Sequence, residues 1–267
     1  MEILGYIGAL VMGLSLGLIG GGGSILTVPI LVYLFSVDAV LATAYSLFIV
    51  GFTSILGSTS HIYQGNIHWR TAIVFGIPSV IAVYLTRQYL VPLIPQEIGH
   101  VGGFYLTKPL LMLLVFALLM VVASYSMIKP RRESTDDSLL NSEVDYDYPL
   151  ILLEGAVVGM ITGFVGAGGG FLIIPALVLL AKLPMKKAVG TSLVIIGTKS
   201  LIGFLGDVNG NQTIDWKFLL IFTAIASVGI FLGSNLSKKV PNEKLKPAFG
   251  YFVLIMGIYI ITKELFF

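Results

Sequence analysis

The sequence predicts an all-α polytopic membrane protein made of two inverted five-segment repeats, each carrying a Gly-rich broken or re-entrant helix. Three observations predict it. Apolar residues make up 56% of the 267 positions and charged ones only 11%, with mean hydropathy +0.95, against about 25% charged in an ordinary soluble domain. Apolar runs repeatedly reach the roughly 20 residues needed to cross hydrocarbon. The second half of the chain also repeats the first at a constant offset.

In the first half the apolar runs are Ile3 to Leu18, Ser24 to Phe35, Ala39 to Ser60, Trp69 to Thr86 and Pro109 to Ile128. In the second they are Pro149 to Val165, Phe171 to Ala181, Met185 to Leu205, Trp216 to Leu236 and Lys246 to Ile261. Residues 129–148 between them are charged and lack apolar periodicity, which marks a solvated linker. Two transmembrane repeats, 1–128 and 149–267, therefore flank it. The N-terminus has no positive region before its apolar run, so it reads as a first membrane segment and not a cleaved signal.

Sliding the second half back by 146 positions aligns Gly17 to Gly57 with Gly163 to Gly203 without a gap, and sixteen of those 41 positions are identical. Among the matches are Gly20/Gly166, Gly22/Gly168, Gly23/Gly169, Pro29/Pro175, Ser46/Ser192, Gly51/Gly197, Ser54/Ser200 and Gly57/Gly203. One inserted residue later, Ile67 to Trp69 meets Ile214 to Trp216. Shared hydrophobicity does not match Gly, Pro, Ser and Trp positions, so the chain is an internal duplication.

An odd number of segments turns the second repeat upside down. Alternating sides at each segment gathers Arg70, Lys129, Arg131, Arg132, Lys182, Lys186, Lys187, Lys238, Lys239, Lys244 and Lys246 on one face. Arg87, Lys108, Lys217 and Lys263 remain on the other. By the positive-inside rule the first face, with the linker, is cytoplasmic and both termini lie outside. A single helix over Ile3 to Phe35 would be roughly 50 Å long, too long for a roughly 30 Å core. Two crossings and a re-entrant hairpin remain open, and the short Ser24 to Phe35 and Phe171 to Ala181 segments lean towards the hairpin.

The glycine runs Gly20, Gly21, Gly22, Gly23 and Gly166, Gly168, Gly169, Gly170 interrupt apolar stretches. Glycine costs roughly 1 kcal/mol against Ala in a helix, and in lipid every freed backbone group needs a partner. These runs are expected where one helix ends inside the membrane and a short one begins, at Ser24 or Gly170. Such a helix start offers unpaired N–H groups and partial positive charge to an anion. Broken helices in inverted repeats are a recurring plan of secondary transporters. Close helix packing is the simpler use of the same glycines.

The pattern GLIGGGGSILTVPIL with AYSL and HIYQGNIHW, repeated as GFVGAGGGFLIIPAL with AVGTSL and NQTIDW, resembles the TauE/SafE family of membrane transporters, also called the sulfite exporter family. The resemblance covers nearly the whole chain. It implies export of small sulfur-containing anions, such as sulfite, thiosulfate or an organosulfonate like sulfoacetate, across a prokaryotic plasma membrane. The first repeat departs from the usual triplet, reading Tyr45, Ser46, Leu47 where the second has Thr191, Ser192, Leu193.

Lys199 lies within an apolar run about two helical turns after Thr191 and Ser192, where a buried charge suggests function by default. It is a candidate fixed charge for an anion, or else a partner for Glu154 or Asp207. His61 and Asp207 are equivalent under the offset and are candidates for carrying coupled protons; both also suit interfacial positions. Trp69 and Trp216 suit the interfacial aromatic belt. Ser46 and Ser192 suit either the cargo or interhelical hydrogen bonds.

The chain has no cysteine, no HExxH and no Walker-type loop, so an enzyme, a metal centre, a cofactor or direct ATP coupling is not expected. Net charge of +2 with basic residues scattered in short loops gives nucleic acid nothing to bind. The expected partners are a small anion and the bilayer, with protons as the candidate coupling ion. A passive anion channel is the alternative reading.

Overall fold

The computed structural model describes residues 2–101, 104–128, 148–179, 181, 183–208, 213–237 and 242–266. Six long apolar helical spans dominate it: α3 (Ala39–Tyr63), α4 (Trp69–Leu85) with its continuation to Leu93, α6 (Lys108–Ile128), α9 (Met185–Val208), α10 (Trp216–Ser237) and α11 (Asn242–Phe266). The remaining helices are α1 (Glu2–Ile19), α2 (Thr27–Phe35), α5 (Val91–Leu93), α7 (Tyr148–Val165) and α8 (Gly170–Leu179). The predicted all-α class is observed. Among the described residues its one exception is a hairpin of β1 (Glu97–Val101) and β2 (Phe104–Thr107), antiparallel with a bulge between Glu97 and Gly99. The linker expected over 129–148 falls outside the described residues except for Tyr148, which opens α7.

Two differences from the sequence reading bear on the site. The short helix expected from Ser24 is a 3-10 segment, Gly21–Leu26, before α2 starts at Thr27. Ser24 Oγ donates to the Gly21 carbonyl and Thr27 Oγ1 to the Ser24 carbonyl, so local side-chain bonds hold the tighter turn. Pro29 falls in the first turn of α2, where a missing N–H costs nothing. The second difference is at α4, whose helix passes Thr86 as a π-helical turn, Thr86–Leu90, and then α5. Arg87 thereby stays inside the fold instead of ending a run at the surface.

The polarity of the molecule is inverted relative to a soluble protein. Ile73, Ile77, Ile81 and Leu85 form an exposed ridge along α4, while Ser24, Ser46, Ser54, Thr53, Thr191, Ser192 and Ser200 are fully buried. Apolar side chains outside and hydroxyls inside suit a hydrocarbon solvent, in which only internal polar groups find partners.

Packing repeats with the halves exchanged. α1 lies on α10 as α7 lies on α4, and α3 lies on α9. A Cβ placed on Gly51 would lie 2.9 Å from Leu201, and one on Gly197 would lie 2.7 Å from Ile55. These are the same contact under the 146-residue offset. Gly57 likewise faces Ile230 and Leu193, while Gly203 faces Val83 and Leu47. Reciprocal contacts of this kind are what a two-fold relation produces. Because position rises along α3 as it falls along α9, these equivalent helices run antiparallel. α6 and α11 do the same, since Gly250 faces Met127 and Ile128 whereas Gly257 faces Met120.

α7 runs parallel to α4: Gly155 faces Phe75, Gly159 faces Ser79 and Gly163 faces Val83 and Thr86. The start of α4 is tied to the start of α9, because the His68 N–H donates to Thr191 Oγ1 at 2.9 Å. α7 therefore enters from the end where α9 begins. α8 returns to that end, with Gly170 against Gly21 near Ile196 and Ile174 near Gly20 and Val189. Ten residues of α8 span roughly 15 Å, half of a hydrocarbon core. α7 and α8 thus form a hairpin whose glycine tip penetrates the bundle between the long helices.

Candidate functional site

The two glycine breaks meet at mid-height of the bundle. A Cβ on Gly21 would lie 2.5 Å from the Gly170 Cα, and one on Gly170 would collide with the Gly21 backbone. Gly20 and Gly166, equivalent in the repeat, have φ of 77° and 74°, a conformation glycine adopts without penalty. Each packs on the first turns of the other repeat's long helix, Gly20 on Val189 and Gly166 on Thr43. Gly23 is pressed on the backbone of Leu16, and Gly22 faces Ile19, Met127 and Phe249. The first break is accordingly lined by apolar groups.

The second break is different. Lys199 is fully buried in α9, and its Nζ donates to Thr162 Oγ1 on α7. A Cβ on Gly169 would lie 3.1 Å from that Nζ. Lys199 is the offset partner of Thr53 and lies between Gly197 and Leu201, the pair that marks the crossing of α3 and α9. Neither Glu154 nor Asp207, the acids considered from sequence, is recorded as its ion-pair partner among the described residues. Three residues before Gly169, a Cβ on Gly166 would come within 2.6 Å of Arg87 Nη2. Arg87 is also fully buried; its Nη1 donates to Thr43 Oγ1 at 3.0 Å and lies 3.5 Å from Asp207 Oδ1. One glycine turn is therefore addressed by two buried cations.

The remaining predicted residues separate into two groups. Ser24 and Ser192 spend their hydroxyls on the carbonyls of Gly21 and Val189, and Thr191 accepts from His68. Ser46 Oγ is buried without a hydrogen-bond partner among the described residues, as are Ser54 and Ser200 Oγ. His61 lies against Gly190 near the start of α9, and Asp207 lies near its end. Asp207 lies seventeen helical steps beyond Gly190, roughly 25 Å. The two titratable groups thus sit at opposite ends of the bundle. Trp69 and Trp216 are half-exposed first residues of α4 and α10.

The unusual Tyr45 has a counterpart role to Thr191. The His68 N–H donates to Thr191 Oγ1, and at the equivalent place the Asp215 N–H donates to Tyr45 OH at 2.7 Å. His68 caps α4 by accepting from the Thr71 N–H on Nδ1, and Asp215 caps α10 by accepting from the Phe218 N–H. These two latches close opposite ends of the α3–α9 pair. Burial, with Lys187 and Arg70 adding repulsion, pushes the His68 imidazole below its usual value. Folding then disfavours its proton, so the unfolded chain binds more protons and stability rises with pH. The melting temperature in detergent should fall as pH drops below about 6.5 and level off beneath the lowered value. His68→Asn, which retains a cap acceptor, should flatten that slope; an unchanged slope would remove His68 as its source.

Arg87, Thr43 and Thr162 are site residues that the sequence reading missed. The charge of Arg87 ends a hydropathy run, and only the apolar continuation Tyr89 to Leu93 signalled that the helix goes on. Thr43 and Thr162 carry no signal beyond being polar in apolar segments.

Comparison with known proteins agrees with this architecture. The sequence model of the family described as Sulfite exporter TauE/SafE matches residues 5–260. A probable membrane transporter protein of Xylella fastidiosa (strain 9a5c) is 30% identical over 260 residues, covering 95% of this chain and 92% of the relative. A probable membrane transporter protein of Methanocaldococcus jannaschii is 27% identical, covering 97% and 93%, and the probable membrane transporter protein YunE of Bacillus subtilis is 25% identical, covering 98% and 100%. No solved structure matches the chain significantly. A family match over nearly the full length, on a helical bundle with six spans and buried polar groups, identifies a multi-pass membrane transporter and not an enzyme: the chain belongs to the TauE/SafE sulfite exporter family.

Proposed function

We propose that this transporter carries a small sulfur-containing oxyanion, such as sulfite, thiosulfate or an organosulfonate like sulfoacetate, outward across a prokaryotic plasma membrane by alternating access. The observation that carries this reading is the fully buried Lys199 ammonium at the α3–α9 crossing, against Gly169 and bonded to a neutral hydroxyl. A buried cation of that kind is costly unless an anion completes it. Gly168 and the first N–H groups of α8 at Gly170 supply neutral donors beside it, while the Gly166 and Gly169 N–H groups donate to the Thr162 and Ala167 carbonyls and hold the turn. In this reading the first break, Gly20 to Ser24, is a packing partner that positions the second. Ser46 remains available as a hydroxyl donor, while Thr191 and Ser192 serve the latch and the helix.

Two further features support a carrier over a passive channel. The antiparallel packing of equivalent helices fits two repeats inverted across the membrane, the plan on which rocking transporters are built. The latches at His68–Thr191 and Asp215–Tyr45 suit gates that open alternately. In this reading His61 and Asp207, one at each end, exchange protons with either side. Purified protein in liposomes with an imposed pH gradient tests the reading. Accumulation of sulfite, thiosulfate or sulfoacetate against its gradient, lost when the pH gradient is collapsed, is expected. Flux that only equilibrates would establish a channel or uniporter instead, and flux of none of them would overturn the cargo.

A further inference from the structure

Arg87 is the largest fully buried side chain among the described residues, and its bonding is incomplete. Nη1 has Thr43 Oγ1 and Asp207 Oδ1, but Nε and Nη2 have no hydrogen-bond partner among the described residues, and neither does Asp207 Oδ2. A single long contact of 3.5 Å is a poor use of a guanidinium, whose fork is built to hold two oxygens at once. The unpartnered edge packs against Gly166, beside Thr43, where a side chain would collide with Nη2. Gly166 and Gly169 are three residues apart, so their Cα atoms lie within about 11 Å. Arg87 and Lys199 therefore approach one turn of backbone from its two ends.

The repeat makes this arrangement one-sided. The offset partner of Asp207 is His61, and with the one-residue insertion that of Arg87 is Ser234. The first break meets Val189, Ile174 and Ile196 at Gly20 and Gly21 instead of cations. Buried charge thus lies on the side of the second break, with Lys199 at the crossing of α3 and α9 and the Arg87–Asp207 pair nearer the end of α9. Lys199 and Arg87 contribute two positive charges and Asp207 one negative. With Asp207 ionised the site is complete with a singly charged anion; with Asp207 neutral it is complete with a doubly charged one.

We propose that Arg87 is the second cationic ligand of the carried oxyanion, that Asp207 is the carboxylate the anion displaces from it, and that Asp207 takes up one proton as a doubly charged anion binds. This rests on the transporter reading above and adds its charge class and stoichiometry. The proton comes from water on the Asp207 side, goes onto the carboxylate and leaves when the anion departs and the ion pair re-forms. The other charged groups facing this pair are Lys108 at the start of α6, which faces Arg87 and Asp207, and Asp38, which faces Lys108. Asp38 is committed to the cap of α3, accepting from the N–H groups of Val40 and Leu41. Of the two acids, Asp207 is the one with an unpartnered oxygen.

The test uses the full chain in liposomes, with sulfite, thiosulfate and sulfoacetate as probes, and compares Arg87→Gln, Arg87→Lys, Asp207→Asn and Lys199→Met. For the probe that wild type moves, Arg87→Gln should raise the half-saturating concentration at least 30-fold, with Arg87→Lys recovering part of it. Asp207→Asn should still exchange anion but no longer accumulate it under a pH gradient. Its apparent affinity should also lose the weakening with rising pH that wild type shows. If Arg87→Gln fails to fold, the double variant Arg87→Gln/Asp207→Asn removes both members of the pair and replaces it. Wild-type affinity and pH dependence in these variants, with Lys199→Met inactive, would overturn this inference alone. Normal transport by Lys199→Met would overturn the site itself, and no flux of any probe in wild type would overturn both.

Discussion

Gly170→Val will force the two glycine breaks apart, with a large loss of both stability and transport. A Cβ at this position meets the Cα, carbonyl carbon and oxygen of Gly21, which are backbone atoms that cannot rotate away. Overpacking a core normally costs about 1–3 kcal/mol, and here the obstacle is a second main chain fixed by its own 3-10 turn. We expect a cost of about 3 kcal/mol or more, read as a lower melting temperature in detergent, and flux reduced more than tenfold. Gly170→Ala should show the same change in smaller degree, because φ at Gly170 is not in the left-handed region and only the contact is at fault. Wild-type melting and flux in the valine variant would mean that the breaks do not touch.

Lys199→Met should separate function from stability. Methionine fills a similar volume without charge, and replacing a buried charge by an apolar side chain is often neutral or stabilising. Among the described residues the side-chain hydrogen bond lost is the one to Thr162, whose hydroxyl also donates to the Gly159 carbonyl. The melting temperature should therefore hold or rise. Anion flux should fall about 100-fold, since a charge-assisted bond to cargo is worth about 3 kcal/mol and each 1.4 kcal/mol is tenfold. A variant that melts lower but transports normally would make Lys199 a structural residue. Together the two substitutions distinguish the glycines that build the break from the cation that uses it.

The sequence by itself determined what a bilayer and a recurring sequence pattern impose locally. Residue hydropathy determined the helices, because a spanning segment must satisfy its backbone internally wherever it sits. The offset of 146 determined which positions would be equivalent, and the exchanged contacts of Gly51 with Leu201 and Gly197 with Ile55 follow that pairing. Lys199 was legible as a candidate because a charge in an apolar run is conspicuous without knowing its neighbours. Only the tertiary structure decided that the glycine breaks touch each other, that α7 and α8 turn back to one end, and that Thr191 and Tyr45 serve latches. It alone brought Arg87 to Gly166, across 79 positions of chain. Hydropathy and spacing are properties of neighbours along the chain, whereas a hydroxyl's partner or a cation's burial depends on which helices cross, and at what register.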